Sequence, residues 1–246
     1  MKKVFLPLVL CLTFALLLSS PSWAAEGSIF RITQTIMPKW DPAVGSDYAS
    51  GSVLVNIYDP LVFPTEDGRI KPWAAESWTI SDDGLTWDFK IRRGIKFHSG
   101  SELTAHDAAY SMNRLLEIGE GFAYLFYAYI DSAEALDDYT LRLKCKMPYG
   151  PLLNNLVRFY IVDRKLLEAN YSSTGDYGGK GDYGKTFLLE RDAGSGPYTV
   201  DSVQVNISVG GSIFRDYWGG FDENVPEKFI IYASNEAVRV KTMMSR

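Results

Sequence analysis

Histidine and cysteine are scarce in this chain, with two of each among 246 residues. His98 and His106 have no second histidine or cysteine at ligand spacing, so we expect no metal site. The Gly-x-Ser-x-Gly motif of many hydrolases is absent as well. Acidic pairs such as Asp82-Asp83 and Asp137-Asp138 lie at predicted turns, where solvated carboxylates are usual. We therefore favour a protein that is not an enzyme and needs no cofactor; a secreted hydrolase is the alternative.

Long apolar runs are also missing, except at the N-terminus. Lys2 and Lys3 precede an apolar run over residues 4–18, which is too short to span a bilayer. The small residues of Ser22-Trp23-Ala24 then match a cleavage site. We predict a signal peptide over residues 1–24 and export to the periplasm, with a membrane anchor as the alternative.

The two cysteines indicate neither a lipid anchor nor a disulfide. Cys11 lies inside the apolar run and follows Leu10, where a lipoprotein signal would carry a small residue. After cleavage only Cys145 remains, so no intramolecular disulfide can form. Cys145 continues the alternation of Leu141 and Leu143, which predicts a buried thiol on the apolar side of a strand.

Basic residues are fewer than acidic ones, 25 against 30. Loss of Lys2 and Lys3 would take the net charge from −5 to −7, because 25 − 2 − 30 = −7. A mildly acidic surface disfavours nucleic acid and anionic membranes as partners. With 46% hydrophobic and 22% charged residues, the composition is that of a globular protein, which we expect to be a monomer.

Both strand and helix patterns occur, so the sequence predicts a mixed α/β (α+β) fold. Trp78 and Ile80, the turn Asp82-Asp83-Gly84 and the alternation from Leu85 to Ile91 predict a hairpin with one buried face. Thr104, with Asp107 three residues later, predicts the start of a helix. Three further elements are predicted: a helical face from Leu152 to Tyr160, a hairpin turning at Gly210-Gly211 after the alternation of Val203 to Val209, and a helix over Asn235 to Arg246.

Residues 179–186, Gly-Lys-Gly-Asp-Tyr-Gly-Lys-Thr, match the phosphate-loop pattern of nucleotide-binding proteins. A phosphate loop follows a buried strand and opens a helix. Here residues 171–178 are polar, and Gly194, Gly196 and Pro197 would break a helix soon after the loop. We therefore predict a turn-rich surface loop instead.

The segment 121–129 holds five aromatic residues among nine. They could pack in the core, since aromatic side chains bury large areas. Part of the segment could instead line a cleft, where rings supply apolar contact and a hydroxyl supplies direction. From the segment alone, packing is the favoured interpretation.

A set of ordered motifs resembles the family 5 bacterial extracellular solute-binding proteins, which include oligopeptide-, dipeptide- and nickel-binding proteins. The likeness covers about residues 28 to 246. It is carried, in family order, by Trp40-Asp41-Pro42, Asn56-Ile57-Tyr58-Asp59-Pro60-Leu61-Val62, Trp73-Ala74-Ala75-Glu76-Ser77-Trp78, the segment from Ser81 to Arg92, Phe97-His98-Ser99-Gly100, Leu103-Thr104-Ala105-His106-Asp107, Gly194-Ser195-Gly196-Pro197-Tyr198 and Tyr217-Trp218-Gly219-Gly220.

This resemblance implies a fold like that of the type II periplasmic binding proteins. Lobe I would be discontinuous, over residues 25–72 and 187–246, with a small second domain over residues 73–186. The C-terminal lobe that closes on the ligand would be missing, since in the family it follows later in the chain. The implied function is that of the periplasmic substrate-binding component of an ABC importer, which captures peptides or similar small solutes and delivers them to an inner-membrane permease. A non-binding truncated remnant of such a receptor is the further alternative.

Three ligand-binding residues follow from the resemblance. Tyr48, counted from Asp41-Pro42, falls near a loop that lines the cleft in peptide binders. Tyr124 falls near a family tyrosine that contacts ligand. Arg158 lies near a position where some nickel-chelate binders use arginine. Structural packing is the alternative role for each of the three.

Overall fold

Two four-stranded β-sheets organise residues 27–233, the part of the chain that the computed structural model describes. The strands are β1 (Ile29–Gln34), β2 (Val62–Pro64), β3 (Ile70–Pro72), β4 (Ala75–Ile80), β5 (Thr86–Ile91), β6 (Ile130–Asp137), β7 (Thr140–Cys145), β8 (Ser202–Gln204), β9 (Ser208–Ser212) and β10 (Lys228–Ala233). The helices are α1 (Tyr48–Ile57), α2 (Ala105–Ile118), α3 (Leu152–Leu156) and α4 (Arg164–Asn170). The predicted mixed α/β class is confirmed.

The first sheet has the order β1-β10-β9-β8, and the second has the order β4-β5-β7-β6. In the first sheet β1 runs parallel to β10, and the other neighbours are antiparallel. The second sheet is antiparallel throughout, and β2 and β3 form a separate two-stranded ribbon. Each sheet has its own apolar cluster, with α2 in the cluster of the second sheet and α1 in that of the first. The domain limits given above stay predictions.

The predicted hairpin is β4–β5, with Ile80 paired to Trp87 across the turn. Trp87, Phe89 and Ile91 are buried, whereas Trp78 is half-buried and Ile80 exposed, so β5 supplies most of the apolar face. The predicted helix start is confirmed at α2. There Asp107 Oδ2 accepts hydrogen bonds from the Thr104 backbone N–H at 2.9 Å and from its hydroxyl at 2.6 Å.

The predicted turn at Gly210-Gly211 is wrong. Both glycines lie inside β9, and the hairpin turns at residues 205–207, where Asn206 has φ +58° and Val205 is 73% exposed. A Cβ atom on Gly211 would lie 1.9 Å from the Thr199 carbonyl oxygen. Glycine at this position therefore allows close backbone approach within the sheet.

The helix predicted from Leu152 to Tyr160 is shorter than expected, because α3 ends at Leu156. Tyr160 forms an antiparallel bridge with Pro60, which requires extended backbone, so the helical pattern cannot continue. The helix predicted over residues 235–246 and the signal peptide predicted over residues 1–24 lie outside the described residues. Among the described helices, none is long and apolar enough to cross a membrane.

The segment that matches the phosphate-loop pattern is a loop. Residues 171–186 contain no strand, and only a short 3-10 turn, Phe187–Leu189, stands where a helix would be needed. Asp182 organises the loop by accepting hydrogen bonds from the backbone N–H groups of Ser172, Gly184 and Thr186 at 2.8 to 2.9 Å. The prediction of a turn-rich loop is confirmed, but residues 181–184 are buried, so only part of the loop lies on the surface.

Candidate functional site

Tyr48, Tyr124 and Arg158 line one open groove, although they come from separate parts of the chain. Tyr48 is the first residue of α1, Tyr124 lies in the 3-10 turn Gly121–Leu125, and Arg158 follows α3. The groove has a volume of about 350 Å³. Its lining also includes Ser46, Asp47, Gly51, Phe122 and Leu125.

The wall at α1 is fixed by a helix cap. Asp47 Oδ1 accepts a hydrogen bond from the Ser50 backbone N–H at 2.9 Å, and Oδ2 accepts one from the Ser50 hydroxyl at 2.6 Å. Partial burial raises the pKa of Asp47, but these hydrogen bonds outweigh it, and the pKa lies below its usual range. The Ser50 hydroxyl in turn accepts from the Lys39 backbone N–H at 2.9 Å. This network holds the Tyr48 side chain, 92% exposed, at the rim of the groove.

The aromatic segment divides between its two suggested roles. Phe122 and Phe126 are buried, while Tyr124 and Tyr127 are each 57% exposed. Of the two exposed tyrosines, Tyr124 lines the groove and Tyr127 does not. Both phenylalanines therefore pack in the interior, although Phe122 also borders the groove, and Tyr124 remains available for a ligand.

Arg158 is exposed, and its Cζ atom lies 5.6 Å from the centre of the Phe122 ring. Burial raises the pKa of the neighbouring Tyr160 hydroxyl, and the charge of Arg158 and its hydrogen bond to this hydroxyl partly offset the rise. Within residues 27–233, Arg158 forms no salt bridge with an acidic side chain. A guanidinium without a carboxylate partner in an open groove is suited to bind a carboxylate by two parallel hydrogen bonds.

Two further lining residues, Phe122 and Leu125, belong to the aromatic segment that the sequence offers as a possible cleft wall, whereas Ser46, Asp47 and Gly51 were not predicted. The spacing of Asp47 and Ser50 is a helix-capping signal that could have placed the start of α1 here. No local signal marks Gly51 as a lining residue, because its position depends on how α1 and the turn at residues 121–125 pack together.

A larger cavity of about 610 Å³ holds none of the three predicted residues. Apolar side chains such as Met37, Leu188 and Val205 dominate its lining. Two of its charged lining residues are already engaged, Asp41 with Arg114 and Lys185 with Glu120, each at 2.7 Å. We therefore place the candidate site in the smaller groove.

His98 and Asp192 form the one buried arrangement in the described residues that resembles part of a catalytic triad. His98 Nδ1 lies 2.5 Å from Asp192 Oδ1, and its Nε2 lies 2.9 Å from the Gly196 carbonyl oxygen. Because Nε2 contacts a carbonyl and not a hydroxyl or thiol, the pair has no nucleophile to activate. In residues 27–233 no group of histidine, cysteine and acidic side chains could hold a metal ion.

Known sequences similar to this chain belong to solute-binding proteins. Residues 69–246 match the family model described as bacterial extracellular solute-binding proteins, family 5 Middle. The glutathione-binding protein GsiB of Pectobacterium atrosepticum is 32% identical over 143 residues, which are 58% of this chain and 28% of that protein. GsiB of Escherichia coli K12 is 26% identical over 205 residues, 82% of this chain and 37% of that protein. The chain thus spans well under half the length of these relatives.

Solved structures share the fold. The periplasmic binding protein DppA of Helicobacter pylori, in complex with the peptide STSA, superposes with a TM-score of 0.72 at 25% identity, covering 89% of this chain and 45% of DppA. MoaA of Agrobacterium tumefaciens R10, in complex with mannopinic acid, gives a TM-score of 0.73 at 24% identity, covering 89% of this chain and 43% of MoaA. The predicted fold, that of the type II periplasmic binding proteins, is confirmed.

Proposed function

We propose that this chain, which belongs to the bacterial extracellular solute-binding proteins of family 5, captures a peptide or similar small solute in the groove of Tyr48, Tyr124 and Arg158. The solute is then delivered to the permease of an ABC importer. The observation that carries the proposal is the convergence of these three side chains on one open groove.

The position of the groove supports this function. Tyr48 follows the loop that leaves the carboxyl end of β1, a strand parallel to its neighbour β10. In open sheets with parallel strands, ligands bind in the crevice outside the carboxyl ends of the strands. This position supports the groove as the ligand site.

The chemistry of the groove favours a solute that carries a carboxylate. Arg158 supplies a guanidinium that has no carboxylate partner within residues 27–233, and Tyr48 and Tyr124 supply rings and hydroxyl groups. The named ligands of the compared proteins, glutathione, a tetrapeptide and mannopinic acid, all carry such a group. A carboxylate-bearing peptide of a few residues is the solute class that fits best.

The proposed function extends to the full-length receptor. The solute is enclosed by hinge closure of two lobes and leaves chemically unaltered, so the protein is a monomeric receptor and not an enzyme. The predicted signal peptide supports a periplasmic location. Its partners are the solute and the inner-membrane permease, and nucleic acid is not among them.

Calorimetric titration with glutathione and with the peptide Ser-Thr-Ser-Ala tests the proposal. Because the chain spans 37% of a full-length relative, affinity is expected to be weak, and ligand concentrations should reach about 10 mM. Tyr124→Ala should weaken binding roughly five- to tenfold, since it removes about 1 kcal/mol of aromatic contact.

Tyr127→Ala is the matched control, because Tyr127 is equally exposed, lies in the same segment and does not line the groove. Its affinity should equal that of the unmodified chain. Equal losses in both variants, or no binding of either ligand to the unmodified chain, would count against the proposal.

A further inference from the structure

Gly51 occupies a position in α1 where the fold does not require glycine. It is the fourth residue of the helix and has no positive φ angle. Glycine is the least favourable helix residue apart from proline, because it loses the most backbone entropy on folding. Backbone conformation therefore does not explain why this position carries glycine.

Two nearby glycines provide a contrast. A Cβ atom on Gly45 would lie 2.4 Å from the Lys39 carbonyl oxygen, and one on Gly121, with φ +56°, would lie 2.9 Å from the Ala43 carbonyl oxygen. These two positions exclude a larger residue on steric grounds. At Gly51, neither the backbone conformation nor the packing excludes a residue larger than glycine.

The neighbour of Gly51 is the guanidinium of Arg158. A Cβ atom at Gly51 would lie 3.6 Å from Arg158 Nη1, and apart from the adjoining residues and the backbone of α1 no other atom of residues 27–233 comes within 4 Å. This distance is an ordinary van der Waals contact, so alanine would fit. Any longer side chain would extend into the groove beside the guanidinium.

We infer that Gly51 is a specificity-determining residue, which leaves Arg158 Nη1 accessible from the groove and sets the size of the group that can pair with it. The inference rests on the proposed function and deepens it. A carboxylate needs to approach the guanidinium in its plane to form two parallel hydrogen bonds. A side chain at position 51 would occupy part of that approach.

Chemical modification of Arg158 tests the steric part without any ligand. The full chain is treated with phenylglyoxal, and the rate of modification at Arg158 is followed by peptide mass spectrometry. We expect Gly51→Met to slow this rate roughly fivefold or more, and Gly51→Ala to change it less than about twofold. Asn56→Met is the matched control, because Asn56 is exposed on the same helix and does not line the groove. An unchanged rate in Gly51→Met would overturn the inference.

Affinity for Ser-Thr-Ser-Ala, measured by calorimetric titration, tests the role in binding. Gly51→Met should bind roughly tenfold more weakly, whereas Asn56→Met should match the unmodified chain. Gly51→Ala should keep its affinity within about twofold while its Tm rises by about 2 to 4 °C, as expected for glycine to alanine within a helix. If Gly51 affected only the stability of the helix, its substitutions would change the Tm and leave the affinity unchanged.

The outcomes separate the two proposals. If the unmodified chain binds Ser-Thr-Ser-Ala and both methionine variants lose affinity equally, the role of Gly51 is overturned and the proposed function stands. If the unmodified chain binds neither this peptide nor glutathione, the proposed function fails, and the ligand role of Gly51 fails with it.

Discussion

Arg114 and Asp41 form a buried, bidentate ion pair between α2 and the loop that precedes α1. Arg114 Nη1 and Nη2 donate to the two carboxylate oxygens of Asp41, each at 2.7 Å, and Arg114 Nε donates to the Tyr183 carbonyl at 2.8 Å. Asp41 Oδ1 also accepts from the Ala43 backbone N–H at 2.9 Å. The pair thus anchors the loop that leads to Tyr48 and the groove.

Removal of the Arg114 charge should destabilise the protein strongly. Arg114→Met leaves the Asp41 carboxylate buried without its partner, which costs about 3 to 5 kcal/mol of the free energy of unfolding. Urea denaturation measures the change. Arg142→Met, which breaks the partly exposed pair with Asp88, is the control and should cost far less. Similar losses in the two variants would contradict the structural role given to Arg114.

The carboxylate of Asp59 accepts four hydrogen bonds in the interior. Trp73 Nε1 donates at 2.8 Å and the Tyr217 hydroxyl at 3.3 Å to Oδ1, while the Ser195 hydroxyl donates at 2.8 Å and Trp218 Nε1 at 3.1 Å to Oδ2. Burial raises the pKa of Asp59 above its usual value, although all four hydrogen bonds act against the rise.

Asp59→Ala should therefore lower the free energy of unfolding by about 3 kcal/mol or more, because buried donors lose their acceptor. Urea denaturation of the variant checks this. Asp67→Ala is the control, since Asp67 lies in an exposed turn. A loss for Asp59→Ala no larger than for the control would show that the network does not hold these segments together.

His98 should make stability depend on pH. Burial lowers the pKa of His98, but the hydrogen bond to Asp192 and the charge of Asp192 raise it more, so the pKa lies above 6.5. The folded state then binds the proton more tightly than the unfolded state. This stabilisation is complete below the unfolded pKa and is lost as the pH rises through the folded pKa.

The free energy of unfolding should accordingly fall as the pH rises above about 6.5. Urea denaturation at several pH values measures this slope. His98→Gln should reduce the slope, and His106→Gln, which changes the exposed histidine, should leave it in place. An identical slope in His98→Gln and the unmodified chain would contradict the assignment.

Much of the fold was predictable from local signals. The hairpin β4–β5 follows from alternation around Asp82-Asp83-Gly84, and the start of α2 follows from the spacing of Thr104 and Asp107. These features depend on residues a few positions apart. The turn of the hairpin β8–β9 was predicted at the wrong position, because a pair of glycines usually indicates a turn. Here the glycine at position 211 instead allows the Thr199 carbonyl to approach the backbone of the sheet.

The candidate site was predictable only in part. Tyr48, Tyr124 and Arg158 were named from the family resemblance, and only tertiary packing shows that they share a groove. Several motifs that carry the resemblance meet at Asp59, which explains their fixed order as a folding requirement and not as ligand contact. Gly51 carried no local signal, because its role depends on an arginine more than a hundred positions away.

The most direct test of solute capture is an NMR titration of the ¹⁵N-labelled chain with Ser-Thr-Ser-Ala, followed by mass spectrometry of the recovered peptide. We expect saturable shifts of the amide signals of Tyr48, Tyr124 and Arg158, and a peptide of unchanged mass. Shifts centred instead on Leu189 and Val205, in the larger cavity, or cleavage of the peptide, would contradict it.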